Sequence, residues 1–392
     1  MTNSFSVLFL SSWYPTIEYP THGIFIRNHA LALSKYCQVI VIYVYSSQEI
    51  NTTEFEHTQT GNLNEYILAF PKSKIPVLKP IVHFFKYLYY YYRLSKLVKK
   101  HYQNIKFAQI NVIYPVSLFF PLIKKILHIK HYTVFEQWTG YLKEDNLYKG
   151  FIQKWVTKHI IKNAEKVWCL CEYQKAAMLN HGLNASYEIM GNVVNTEFFK
   201  PIEKSANSKD KKTFIHISTL DDRQKNISGI LRVFSELEKE GHSFELIIIG
   251  GTTENIQKCR EIAQHYHLQN VKFKGIVPQN ELPTYLHNAD ALVMFSNYET
   301  FCVVVYEAIS TGTYVISTNV ADLDKVITEK YGCLIPPKDE KGLKDAILKV
   351  LHNKVPKSPS TEAHQWIKSH FSSEVIGKKL YDYYSTRILQ EK

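Results

Sequence analysis

The chain has little glycine, 15 of 392 residues or about 4% against a usual ~7%, so each glycine is expected where the backbone needs one. Its six cysteines (Cys37, Cys169, Cys171, Cys259, Cys302 and Cys333) include no C-x-x-C spacing. That excludes a zinc knuckle and a disulfide scaffold, and makes a reducing cytosol the natural setting. No apolar run is long enough for a bilayer. Val7–Leu10 is a strand's length, and the aromatic stretch Ile81–Val98 is broken by His83, Lys86, Arg93 and Lys96. Met1–Ser6 lacks the basic region of a signal peptide, and no nucleic-acid-binding signature is present.

What is there describes a globular protein. Hydrophobic residues make up 45%, aromatics 14% and charged residues 21%, enough to bury sizeable cores, and the length suits two domains. The net charge of +11 asks for an anionic partner. It is unevenly placed: residues 1–187 carry 21 Lys+Arg against 10 Asp+Glu, whereas residues 188–392 carry 26 of each.

Short apolar runs alternate with amphipathic segments, the pattern of parallel sheets covered by helices. In the first half, strands are expected at Ser6–Ser11, Gln38–Tyr45, Gln109–Tyr114, His131–Glu136 and Lys166–Leu170, with helices at Gly23–Ser34, Pro80–His101 and Phe151–Ala164 between them. After the polar stretch Lys204–Lys212, which reads as a linker or long loop, the pattern restarts. Strands follow at Thr213–Ser218, Glu245–Gly250, Val271–Lys274, Ala291–Phe295 and Thr313–Ser317, and helices begin near Ile227, Thr253, Gln279, Phe301 and Lys341. The expected fold is α/β, two Rossmann-like doubly wound domains, with ligands at the carboxyl ends of the strands and in the cleft between the domains.

The most informative segment is Ser296-Asn-Tyr-Glu-Thr-Phe-Cys-Val-Val-Val-Tyr-Glu-Ala-Ile-Ser-Thr-Gly312. Glu299 follows a buried strand and opens a helix, where its carboxylate can accept hydrogen bonds from sugar hydroxyls. The N–H groups of Thr300, Phe301, Cys302 and Val303 can bind hydroxyl or phosphate oxygens there. Glu307, two turns on, would reach the same crevice. Taken alone, two glutamates eight apart are a surface Glu and a helical Glu with no shared role.

Their surroundings decide. From Leu282 to Ser317 the chain resembles the donor-binding signature of the retaining glycosyltransferases of family four, of the two-domain GT-B superfold: Asn288-Ala-Asp290, a buried strand, Ser296-x-x-Glu-Thr-Phe, Glu307-Ala and a turn at Gly312. The resemblance implies that Glu299 contacts the donor sugar and Glu307 the nucleotide ribose. Cys302 departs from the family's usual glycine beside the donor sugar. Ser12-Trp-Tyr-Pro15 through His22-Gly-Ile-Phe-Ile-Arg27-Asn-His29 is similar to the family's first strand, glycine loop and helix, and implies a backbone approach to the donor diphosphate at Gly23. Gly191-Asn192-Val193-Val194-Asn195 is similar to the interdomain hinge. The implied domains are 1–190 for the acceptor, 191–368 for the nucleotide-sugar donor, and 369–392 as a helix crossing back onto the first.

Ser218-Thr-Leu-Asp-Asp-Arg223-Gln-Lys225-Asn226 stands where the family has a basic pair on the diphosphate. Lys225-Asn226 matches, but Thr219 takes the usual arginine's place, and Arg223 either supplies the missing charge or is a solvated surface arginine. Lys225 and helix N-termini would stabilise the leaving diphosphate, so no metal and no cofactor beyond the donor substrate is implied. The only D-x-D, Asp322-Leu-Asp324, comes late in the chain, in place of a donor loop, and is not taken as a metal site.

On the acceptor side the resemblance puts Tyr114 where a histidine is frequent, and Glu136-Gln-Trp138-Thr-Gly-Tyr141 on a loop facing the acceptor, with Trp138 packing the domain edge as the other reading. In Lys79–His101, spacing at about 100° per residue puts Lys86, Arg93, Lys96 and Lys100 on one side and an aromatic-aliphatic face opposite, the pattern of a helix lying on anionic lipid or of an unusually aromatic domain helix. The expected activity is transfer of a sugar from a nucleotide sugar to a hydroxyl of a glycan, lipid-linked and destined for surface polysaccharide or lipopolysaccharide, by a cytoplasmic enzyme peripheral on the inner face of the membrane. The alternatives are a nucleotide-sugar 2-epimerase of the same superfold and a non-enzymatic module binding anionic membrane.

Overall fold

A computed structural model describes residues 5–72, 79–202, 211–356 and 360–390. The chain divides into two compact units, residues 1–193 with 373–392, and residues 194–372. The divisions fall three to four residues beyond the expected 190 and 368. One reason is that the Val194 N–H donates to the Phe371 carbonyl at 2.9 Å, tying the two ends of the second unit together. The expected linker falls largely on 203–210, outside the described residues.

The first unit runs β1 (Ser6–Ser11), α1 (Ile24–Ser34), β2 (Gln38–Ser47), β3 (Glu54–Thr60), β4 (Leu63–Pro71), α2 (Lys79–His101), β5 (Ile105–Asn111), α3 (Phe120–Leu127), β6 (His131–Glu136), α4 (Phe151–Asn163), β7 (Val167–Cys169), α5 (Glu172–Asn180) and β8 (Tyr187–Ile189). Its eight strands lie in the order β3-β4-β2-β1-β5-β6-β7-β8, all parallel except β3, which pairs antiparallel with β4. Every residue of β1 is buried, as expected for a central strand of a sheet covered on both faces. The β3–β4 hairpin was not legible in the sequence. β3, EFEHTQT, has no apolar alternation because it is an exposed edge strand, whose two glutamates discourage further pairing.

The second unit runs β9 (Lys212–Ser218), α6 (Asp222–Lys225), α7 (Ile227–Lys239), β10 (Phe244–Gly250), α8 (Thr253–His265), β11 (Val271–Gly275), α9 (Leu282–Asn288), β12 (Ala291–Met294), α10 (Val303–Thr311), β13 (Tyr314–Thr318), β14 (Gly332–Ile335), α11 (Glu340–Leu351) and α12 (Ser360–Phe371). Its six strands are all parallel, in the order β11-β10-β9-β12-β13-β14. The last helix, α13 (Ser373–Leu389), belongs to the first unit and packs on α1. A Cβ at Gly377 would lie 2.2 Å from the Ala32 carbonyl oxygen, so only glycine permits that crossing. Buried Tyr384 then donates to Gln109 Oε1 at 2.7 Å and sits 3.0 Å from Thr133 Oγ1, fixing α13 across β5 and β6.

Two expectations need correction. The strand expected at Gln109–Tyr114 is β5, Ile105–Asn111. The strand ends at Asn111 because Val112 takes a φ of 56°, so Tyr114 lies in the loop beyond it. The second concerns α2: its apolar face opposite the cations is seated in the core, as in an unusually aromatic domain helix, and does not lie on lipid. Tyr91, Leu94 and Val98 enter the core, whereas Phe85, Tyr89 and Tyr92 are exposed together with Arg93 and Lys96. Arg93 lies over the Tyr89 ring and Lys96 over the Tyr92 ring, each at 5.8 Å.

Candidate active site

In a doubly wound sheet the crevice forms where the strand order reverses, between neighbours whose connections leave in opposite directions. In the second unit these neighbours are β9 and β12. The loops leaving their carboxyl ends are fastened to each other: the Asn297 N–H donates to the Gln224 carbonyl at 2.7 Å, and Asn297 Nδ2 to the Arg223 carbonyl at 2.9 Å. His216 braces the start of this arrangement, its Nδ1 2.7 Å from the Val293 carbonyl and its Nε2 2.7 Å from Ser218 Oγ. Burial holds its pKa down at about 4, so the ring is a neutral brace.

That fastening brings Lys225 and Glu299 into a nearly buried ion pair, with side chains 12% and 6% exposed. Glu299 also accepts from Ser296 Oγ at 2.9 Å and Gln224 Nε2 at 3.2 Å. Burial pulls the Lys225 ammonium down, but Glu299, with Cys302 and Asp221, outweighs it and holds the pKa above its ordinary value. The ammonium therefore stays charged at the edge where an anion would arrive. Gln224 was missed in the sequence because glutamine beside a charged pair carries no spacing signal.

Cys302 opens α10 with φ 61° and ψ 64°, a left-handed conformation that explains why glycine suits this position. The helix begins at Val303, two residues later than expected, so Thr300 and Phe301 form the approach to its N-terminus. Phe301 stacks on Tyr306 with centroids 4.0 Å apart, and Phe371 packs edge-on against both. Burial raises the pKa of the Cys302 thiol, with Glu299 and Glu307 adding to it and Lys225 opposing, so the sulfur lies within electrostatic reach of all three. Glu307 is 5% exposed, and its one close partner is Gln279 Nε2 at 3.4 Å. Burial pushes its pKa up to about 7.

Other expected residues fall differently. Arg223 has an exposed side chain, and its backbone N–H donates to Asp221 Oδ1 at 3.1 Å. Thr219 is exposed, with its carbonyl held by Asn255 Nδ2 at 3.1 Å. Asn226 adopts φ 51° at the junction of α6 and α7, which sets the turn rather than a charge. Asp290 accepts from the Thr213 N–H at 2.8 Å and pairs with Lys212 at 3.0 Å, clamping the start of β9. Asp322 pairs with Lys325 at 2.7 Å in the turn after β13.

At the corresponding reversal in the first unit, between β1 and β5, the loops meet through Ser12 Oγ, which accepts from the Val116 N–H at 3.1 Å. Gly23 takes φ 73°, and a Cβ there would lie 2.7 Å from the Trp13 backbone carbon, so the Trp13 loop and the α1 N-terminus meet backbone to backbone. Glu136, expected to face an acceptor, is instead fully buried. Its Oε1 accepts from the N–H groups of Gln137 and Trp138 at 2.9 and 3.0 Å, and its Oε2 from the Ile113 N–H and Tyr141 hydroxyl at 3.2 and 3.1 Å. Burial raises its pKa against the pull of these donors. Trp138, half-buried and 5.2 Å edge-on from Tyr141, is held by that carboxylate.

Two Rossmann-like parallel sheets define the GT-B fold class. Solved structures agree: sucrose-phosphate synthase from Thermosynechococcus elongatus superimposes with a TM-score of 0.80 over 98% of this chain and all of that one, at 19% identity. Anabaena HepE in complex with UDP-glucose gives 0.69 over 97% and 100%, at 12% identity. Residues 198–370, almost all of the second unit, match the family Glycosyl transferases group 1. Among its relatives, alpha-monoglucosyldiacylglycerol synthase of Streptococcus pneumoniae is 23% identical over 67% of this chain. The chain spans 61% of that relative's length, and 31% of the length of glycogen synthase of Mycobacterium tuberculosis, to which it is 30% identical over 33% of its own.

Proposed function

We propose that the chain transfers a sugar from a nucleoside-diphosphate sugar to a hydroxyl of a lipid-linked glycan or glycolipid, with retention at the anomeric carbon and without a metal requirement. The observation that carries this reading is the Lys225–Glu299 pair at the reversal point of the second sheet. Cleaving the anomeric C–O bond puts charge on the diphosphate leaving group, and a preorganised cation beside it is worth most where water is excluded. Lys225 supplies that cation, and the α10 N-terminus adds its partial positive charge. Glu299 and Glu307 accept hydrogen bonds from donor hydroxyls, Glu299 from the sugar and Glu307 from the ribose. The leaving phosphate oxygen takes the acceptor proton on the face it leaves.

The acceptor side follows from the charge asymmetry. An excess of eleven positive charges in residues 1–187 suits a phosphorylated lipid carrier or anionic inner membrane surface, and the S. pneumoniae relative is named for a glycolipid product. No helix among the described residues is long and apolar enough to cross a membrane, so the contact proposed is peripheral.

A panel of nucleotide sugars screened by thermal shift identifies the donor. Incubation with that donor then shows nucleoside diphosphate released only when acceptor is added, and the product's anomeric coupling constant matches the donor's configuration. Release without acceptor and with conversion of the sugar would support the epimerase instead. An inverted product would overturn retention, and activity abolished by chelator would overturn metal independence.

A further inference from the structure

Among the described residues, the first unit carries an exposed apolar cluster that neither the family match nor the donor site uses. It lies at the start of α4 and the turn before it. Phe151 is 83% exposed, Trp155 65%, Ile152 58% and Leu147 48%. Aromatic and aliphatic side chains this exposed keep apolar surface in water, and covering it with something apolar is favourable by roughly 25 cal/mol per Å². The helix itself is firmly seated, because Val156, Thr157, Ile160 and Ile161 are buried on its inner face.

Charge accompanies the cluster in a fixed pattern. Lys154, Lys158 and Lys162 recur every fourth residue and are all exposed, so they form one stripe flanking the apolar wedge. Residues 146–164 contain no Asp or Glu, and the acids just outside are engaged: Asp145 with Thr139, Glu144 with Tyr173, and Glu165 with Arg387. Trp155 stacks on His159 at 6.1 Å, and Lys154 lies 6.0 Å over the Tyr148 ring. A protein partner would be expected to meet an apolar hot spot with a mixed polar rim. A rim of one sign beside a Trp-Phe-Ile wedge instead matches the two layers of an anionic lipid surface, headgroup charge outside and acyl chains beneath.

We propose that α4 is the element that docks the protein on an anionic bilayer, with Phe151, Ile152 and Trp155 entering the headgroup–acyl boundary and Lys154, Lys158 and Lys162 resting on the phosphates. α2 buries Tyr91, Leu94 and Val98 in the cluster where α4 buries Val156, Ile160 and Ile161. The two helices therefore cover the same face of the sheet, and the exposed Phe85 and Tyr89 of α2 are a secondary contact. This inference rests on the membrane reading above and adds its site.

The test is sedimentation of the full chain with vesicles of phosphatidylcholine alone or with phosphatidylglycerol, for wild type, F151S/W155S, K154E/K158E and F85S/Y89S. Wild type partitions onto phosphatidylglycerol vesicles, F151S/W155S and K154E/K158E each lose at least about tenfold in partitioning, and F85S/Y89S loses much less. Because every substituted side chain in the α4 variants is exposed, their thermal midpoints stay near wild type. Wild-type binding equalled by both α4 variants overturns the assignment to α4 and leaves the membrane reading standing, whereas no wild-type binding to anionic vesicles removes both. A wild-type dimer that F151S/W155S dissociates, with vesicle binding unchanged, gives the surface to a second copy of the chain and also overturns the proposal.

Discussion

The two sheets reverse strand order in the same way but use carboxylates at that point differently. In the first unit, Glu136 receives three backbone amides and a tyrosine hydroxyl. In the second unit, Glu299 is opposed by a single movable ammonium and two side chains, and Glu307 has one long hydrogen bond. Carboxylates saturated by backbone hold a loop in place. Those facing side chains can exchange partners with a ligand at low cost, and this difference is why the chemistry is placed in the second unit.

The contrast breaks most sharply at Lys225. Lys225→Ala and Glu299→Ala are each expected to lower transfer by a factor of about 10² or more, measured as acceptor-dependent nucleoside diphosphate release; full activity in either would move the site elsewhere. Glu136→Ala should act on stability instead. It leaves buried N–H groups unpaired, at a cost of about 3 kcal/mol or more. Denaturant unfolding would show that loss, while nucleotide binding by the folded fraction persists. If Glu136→Ala unfolds as wild type does, the comparison between saturated and available carboxylates fails.

Glu307 gives a pH signature of comparable size. Its folded pKa of about 7 lies above the ordinary 4.5, so the folded state holds the proton where the unfolded chain has released it. Stability from this group is fully present below about pH 4.5 and is lost as pH rises through 7, a swing of about 3 kcal/mol in the unliganded protein. Thermal melts of Glu307→Gln should lack that part of the slope between pH 5 and 8, and an unchanged slope would place the titration on another group. The smallest effect is expected at Cys302→Gly. Relief of the left-handed strain, about 1 kcal/mol, is offset by the freedom glycine gains in the unfolded chain, so the melting temperature should hardly move. A broadened range of accepted donor sugars would show that the thiol lines the pocket.

Much of this was legible in the sequence because buried parallel strands read as unbroken apolar runs: β1, β9, β10 and β12 lie close to their expected positions. Glu299, Glu307 and Lys225 stood out because the segments around them resemble the motifs of a known family, not through spacing alone. The β3–β4 hairpin was hidden because its edge strand has no buried face. The end of β5 was misplaced because Ile113 and Tyr114 continue the apolar pattern while the backbone has already turned at Val112. Gln224 and Asn297, which bring Lys225 to Glu299, were invisible because they act through neutral backbone and side-chain amides, which carry no spacing signal. The burial of Glu136 was likewise unreadable, since its partners come from residues 113, 137, 138 and 141 brought together by the fold.

The central claim is that Lys225 holds the donor diphosphate at the second unit's carboxyl edge. The direct measurement is calorimetric titration of a panel of nucleoside diphosphates into wild type and Lys225→Met, with Lys325→Met as a control cation. The prediction is that one diphosphate binds wild type and the Lys325 variant alike and loses at least about tenfold in affinity with Lys225→Met. Equal affinity in wild type and Lys225→Met would contradict it.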